Sequence, residues 1–227
     1  MDTKILGISK ITINLFFLIL LISCIGANLA HAEPIKLGED YELLENPLPP
    51  HANGDPAKID IHEFFSLVCI HCYNFEEPLH KWVEQNKNKI NFDRTQYVFE
   101  GSSLGSPILG EIYYSFKAMG IEDRMLLPTY RAIFEEKIDL TNDDMMSRWL
   151  QKNSVDVEQF NQTKKSFGVN TAMSLANRRV IEADVKSTPQ IIVDGRYRII
   201  NAHSQDRILE VADALIVLAQ FERKKKK

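Results

Sequence analysis

Cysteine is scarce in this sequence: three residues among 227, at Cys24, Cys69 and Cys72. A small secreted domain stapled by disulfides carries several spaced pairs, so that class is excluded. Cys69 and Cys72 have Ile70 and His71 alone between them, and a loop that small gains little by restraining the unfolded chain. The pair is there for chemistry. Half a zinc site is the competing reading of a CxxC pair, but it needs a second Cys or His cluster, and His31, His51, His62, His80 and His203 supply no such spacing. No metal site is expected. Positive charge is not in excess either: the formal net charge is −4, which speaks against nucleic acid as a partner. Internal repeats and low-complexity segments are absent, which excludes solenoids and arrays.

Long apolar runs are also missing. The best of them, Ile11 to Ile25, is interrupted by Thr12, Asn14 and Ser23 and is short for a membrane span. Lys4 and Lys10 precede it, and Ala30-His31-Ala32 offers small residues where a signal peptidase reads, so residues 1–32 are expected to be a cleaved export signal. An uncleaved anchor is one competitor. Another is lipidation at Cys24, because Leu21-Ile22-Ser23-Cys24 resembles a bacterial lipobox. Without residues 1–32 the chain loses Lys4, Lys10 and Asp2 and becomes one unit more acidic. The basic run 223–227 reads as a solvated, frayed tail.

What is present suits one α/β domain with an insertion: 44% of residues are hydrophobic and 26% charged. Residues 33–57 are rich in Pro and short polar residues and read as a lead-in, with one possible strand near Tyr41 to Leu44. Lys58 to Phe65, β-branched and aromatic, suits a buried strand. From Cys69 onward, Cys72, Phe75, Leu79, Trp82 and Val83 recur at helical spacing, so a helix starts at or just before Cys69, and Pro78 is expected to kink it. Ile90 to Phe99 reads as a second strand, completing a βαβ unit with a parallel pairing.

Residues 101–183 show helical periodicity and hardly any strand signal. Pro107 opens one helix, Thr141 caps a second, Asp156 caps a third, and Gly168 breaks the chain before Met173 to Ile181. Two β-rich runs then flank Asp194-Gly195, a strong hairpin signal. Ser204 caps a last helix bearing Ile208, Val211, Leu215 and Leu218. The core is thus expected from 58–100 and 184–222, with 101–183 as an all-helical insertion.

A sulfur exchanges with a disulfide only as its thiolate. Cys69, at a helix start, faces unpaired N–H groups and the positive end of the helix dipole, and His71 can donate a hydrogen bond or positive charge to the sulfur. Cys72, one turn further in, lies under the apolar stripe, where desolvation disfavours its thiolate. Cys69 is therefore the exchanging sulfur and Cys72 the resolving one. A depressed thiol pKa stabilises the reduced state, so net donation of disulfides is expected. Glu63 is in phase with Ile59 and Ile61: it is either a buried proton acceptor for Cys72 or an edge acid reaching solvent. Thr188-Pro189 is either an ordinary strand entry or a cis turn whose Thr188 backbone pairs with an extended substrate.

Glu63-Phe64-Phe65-Ser66, Cys69-Ile70-His71-Cys72-Tyr73, Phe75-Glu76-Glu77, Thr188-Pro189 and Val193-Asp194-Gly195-Arg196-Tyr197, taken with the element order, resemble the DsbA family of periplasmic oxidases. The resemblance implies a thioredoxin-like fold with a helical insertion, Cys69 as nucleophile, Cys72 as resolving thiol, His71 as thiolate stabiliser, Glu63 as buried acid and Pro189 as a cis-proline. It implies a monomer without metal or organic cofactor, acting on unfolded exported proteins and re-oxidised by a DsbB-type membrane partner. Ile70 stands where the best-known members have Pro, and Thr188 where they often have Val; both positions bear on oxidising strength and partner preference. A reductase or isomerase of the same fold, or a non-catalytic chaperone module, are the alternatives. Residues 33–57 are too few for the dimerisation module of a DsbC-type isomerase.

Overall fold

Strand β2 (Ile59–Phe65) is buried along its whole length, as a strand covered on both faces must be. It pairs in parallel with β3 (Ile90–Gln96) and antiparallel with β4 (Gln190–Val193). With β1 (Tyr41–Leu43) and β5 (Tyr197–Ile199) these make a five-stranded sheet of order β1-β5-β4-β2-β3. The computed structural model describes residues 34–98 and 106–225. The export segment with Cys24, and Phe99, lie outside the described residues. From Ile35 onward the described residues form one compact unit. Among them no helix is long and apolar enough to cross a membrane.

Helix α1 (Ile70–Asn86) joins β2 to β3 and continues through Pro78. It brings Phe75, Leu79 and Trp82 onto Ile59 and Ile61, where Val211 and Leu215 of the last helix also pack. On the opposite face of β2, Phe64 is covered by Val180, Val185 and Ile192. The alternation of a strand, one side chain up and the next down, produces this division. Each such side chain contributes on the order of 1.5–3 kcal/mol by leaving water.

The insertion holds five helices among the described residues: α2 (Pro107–Ala118), α3 (Glu122–Phe134), α4 (Asp143–Lys152), α5 (Val157–Lys164) and α6 (Phe167–Glu182). Four carry a side-chain N-cap: Ser106, Asn142, Asp156 and Ser166. Three readings of the insertion need correction. The cap of α4 is Asn142 rather than Thr141, whose amide and hydroxyl go to Asp139 Oδ1. Gly168 lies inside the first turn of α6, which Ser166 starts. Helix α3 had no counterpart in the periodicity, where Pro128 masks the spacing of Met125, Leu126, Thr129 and Tyr130.

The β4–β5 turn has Asp194 and Gly195 both at positive φ, 55° and 64°, as a type I′ hairpin requires. The last helix, α7 (Gln205–Lys225), has Ser204 Oγ accepting from Arg207 N. It runs to Lys225, into what reads as a frayed tail, and Arg223 shows why: its guanidinium donates to the carbonyls of Pro56 and Lys58 and pairs with Asp194. Strand β3 ends at Gln96, short of the expected Phe99.

Candidate redox site

Cys69 is the N-cap of α1, with extended backbone (φ −93°, ψ 111°), and its Sγ accepts from the Cys72 N–H at 3.4 Å. That position follows from the sequence: β2 ends at Phe65, a short turn closes from Cys69 N to Ser66 O at 3.0 Å, and the helix begins at Ile70. Thr188, 119 residues on, brings its carbonyl oxygen to 3.2 Å from the same sulfur. Pro189 follows in cis, immediately before β4. Both cysteines are free thiols.

The two sulfurs are driven apart electrostatically. The Cys72 thiol, hydrogen-bonded to Cys69, does most to hold Cys69 down at about 5; burial opposes it, and the Thr188 side chain and the backbone N–H groups of Cys72 and His71 add to it. Burial pushes the Cys72 thiol far above its ordinary value, and the nearby Cys69 and Glu63 push the same way. Cys69 thus carries the charge and Cys72 the proton. His71 acts here through its main chain: its imidazole is exposed, and so is Ile70, so the expected imidazole hydrogen bond to sulfur is not part of this geometry.

Glu63 is buried at 2% exposure rather than an edge acid. The parallel register sets it opposite Arg94, whose Nε lies 2.8 Å from Glu63 Oε2. Arg94 Nη2 reaches Glu76 of α1 at 3.1 Å. Burial pushes Glu63 up to about 7 against the pull of Arg94, and it raises Glu76 as well. For Arg94, burial works against the charge, but Glu63 and Glu76 outweigh it and raise the guanidinium. Arg94 was not singled out from the sequence, and Glu76 only within the Phe75-Glu76-Glu77 block, without a role. Glu76 could have been found as a charged residue inside the stripe Cys72, Phe75, Leu79, and Arg94 as a cation in phase with Ile90 and Phe92. The site thus has a carboxylate near neutrality behind the resolving thiol, within a three-charge cluster.

Cys69 and Cys72 pack in the apolar cluster of the insertion, with Leu109, Tyr130, Trp149 and Phe160. Tyr73, next to Cys72, stacks on Phe134 of α3 with ring centroids 5.6 Å apart and planes 2° from parallel. The sulfurs therefore sit where the sheet, α1 and the insertion meet.

An N-capping thiol beside a cis-proline loop on this sheet order is a thioredoxin-type arrangement, and the DSBA-like thioredoxin domain family matches residues 60–213 of the chain. The chain belongs to that family. The thiol:disulfide interchange protein DsbA of Pseudomonas syringae pv. tomato is 30% identical over 196 residues, 86% of this chain and 89% of that protein. The DsbA of Burkholderia cepacia is 28% identical over 176 residues, covering 77% and 81%. In three dimensions the crystal structure of Pseudomonas aeruginosa DsbA superposes with a TM-score of 0.75 at 28% identity, over 84% of this chain and 97% of that one. This DsbA-like chain is a thiol-disulfide oxidoreductase with the thioredoxin-like fold and helical insertion expected from its motifs.

Proposed function

We propose that the protein donates the Cys69–Cys72 disulfide to exported proteins folding in the periplasm, and that a DsbB-type membrane partner restores it. One observation carries the direction: Cys69 is held at about 5 while Cys72 is raised. Stabilising the thiolate of the reduced pair makes the disulfide a stronger oxidant. A substrate thiolate attacks Cys69 Sγ, the Cys69–Cys72 bond breaks, and Cys72 leaves and takes up a proton. A second substrate thiolate then attacks the substrate's own sulfur in the mixed disulfide and expels Cys69, a good leaving group because its thiol is acidic. Two electrons pass from the substrate dithiol to the protein pair, and no metal or organic cofactor is required. Glu63, near neutrality and close to Cys72, supplies or accepts the Cys72 proton. The Thr188 carbonyl, which faces Cys69, pairs with an extended substrate segment.

Localisation follows from the leader: Lys4, Lys10, the apolar run and Ala30-His31-Ala32 direct the chain out of the cytoplasm. The deciding experiment is equilibration of the pair with glutathione buffers. A potential more oxidising than about −200 mV supports disulfide donation, and a more reducing one overturns it in favour of a reductase.

A further inference from the structure

On the face of the β2–β3 ladder opposite Glu63 and Arg94, the register sets His62 beside Asp93, and the lead-in segment brings His51 against them. His51 Nε2 and His62 Nδ1 lie 3.4 Å apart, and Asp93 Oδ2 is 4.0 Å from His62 Nδ1. We propose that His51, His62 and Asp93 form a binding site for a borderline divalent transition-metal ion such as Zn2+, separate from the redox cysteines.

The distances carry the argument first. Imidazole nitrogens bound to one Zn2+ sit at about 2.0–2.1 Å, so two of them on a tetrahedral ion lie about 3.3 Å apart. The two histidines already stand at that separation. Asp93 has to close by about 0.7 Å toward His62.

The far side of the His62 ring is held: its Nε2 is 2.7 Å from Thr95 Oγ1, while His51 Nδ1 stands near the Asp60 carboxylate at 3.7 Å, beyond hydrogen-bond distance. Asp60 is itself held by the His51 backbone N–H at 3.0 Å and by Asn91 Nδ2 at 2.7 Å. With its remote nitrogen held at Thr95 Oγ1, His62 can present Nδ1 as a lone pair, which is the outer-shell pattern of metal-ligating histidines. His62 Nδ1 and His51 Nε2 face each other at hydrogen-bond distance, 3.4 Å, and share one proton, which a bound cation would displace.

Access and charge set the strength. A cavity of about 630 Å³, lined by His51, Asp93, Asn91 and Ala172 among others, opens beside the cluster and gives an ion an entrance and room for bound water. Lys117 and Arg179 both pair with Asp93, the latter at 2.9 Å. They oppose a second cation, so the site is one of moderate affinity. This makes a prediction that adventitious surface binding does not: removing Lys117 strengthens the site.

The test is calorimetric titration of ZnCl2 into the untagged full-length protein carrying Cys24→Ser, in its oxidised form, where the disulfide keeps the Cys69 and Cys72 sulfurs from competing as ligands and no other thiol is present. One ion per chain is expected, with affinity lowered roughly tenfold or more by His51→Ala and raised several-fold by Lys117→Met. Melting curves of the metal-free variants establish that both are folded. Co2+ added in place of Zn2+ gives visible d–d absorption that His51→Ala abolishes. Absence of saturable Zn2+ binding, or affinity that neither substitution changes, overturns the proposal.

Discussion

Glu63 and Arg94 face each other across the parallel β2–β3 ladder with 2.8 Å between Oε2 and Nε, and the guanidinium also reaches Glu76, so one cation holds two buried carboxyls. Replacing Arg94 by Met leaves two carboxyl groups in an apolar interior without their counter-charge. The loss is expected to be about 3–5 kcal/mol near pH 8. It shrinks near pH 5, where Glu63, raised by burial to about 7, accepts a proton; burial raises Glu76 in the same direction. Urea unfolding of the oxidised variant at the two pH values checks this.

Alkylation reads the sulfurs directly. In the reduced protein, iodoacetamide is expected to modify Cys69 and spare Cys72, with a rate that rises with pH and inflects near 5. Cys72→Ala removes the strongest influence holding Cys69 down, so its inflection moves up by about a unit or more. An inflection near that of a simple peptide thiol rejects the assignment of Cys69.

Stability should depend on redox state and pH together. The folded Cys69 thiol lies at about 5, below its ordinary 9.0, so its stabilisation is complete above the ordinary value and fades as pH falls through about 5. Cys72 is raised, so its contribution is present below 9.0 and lost only in more alkaline solution. The oxidised protein has neither thiol. The melting temperature of the reduced form minus that of the oxidised form is therefore expected to be larger near pH 7.5 than near pH 5. Glu63, which titrates in both forms, cancels to first order.

Gly195→Ala tests the hairpin. Gly195 has φ +64°, and a Cβ there would lie 2.5 Å from the Leu48 carbonyl oxygen. Left-handed backbone and the collision with main chain together are expected to cost about 2 kcal/mol or more, seen as a lowered urea midpoint with unchanged slope.

The sequence made visible what depends on near neighbours in the chain. Cys69 at a helix start, Cys72 a turn further in, Asp194-Gly195 and the caps Asp156 and Ser204 are local signals, and the structure places each as its spacing implied. Glu63 was legible by alternation, but its partner was not, because Arg94 meets it through a strand register set by distant packing. His51, His62 and Asp93 stayed hidden for the same reason. Helix α3 was lost to Pro128, which breaks the apolar rhythm without ending the helix. Arg223 is anchored by the main-chain carbonyls of Pro56 and Lys58 and by Asp194, all far from it in the chain, so its role was not legible in the basic run.

The same two strands carry Glu63 against Arg94 on one side and, a residue earlier, His62 against Asp93 on the other. Sliding β3 by a single position would, according to direction, set Asp93 opposite Glu63 and Arg94 opposite Phe64, or Arg94 opposite His62 and Asp93 opposite Ile61. Each misaligned ladder thereby breaks both polar pairings and leaves a charge facing a like charge, an imidazole or an apolar side chain. These polar residues, usually counted as a burden on a hydrophobic interior, act as proofreaders of chain alignment while the molecule assembles.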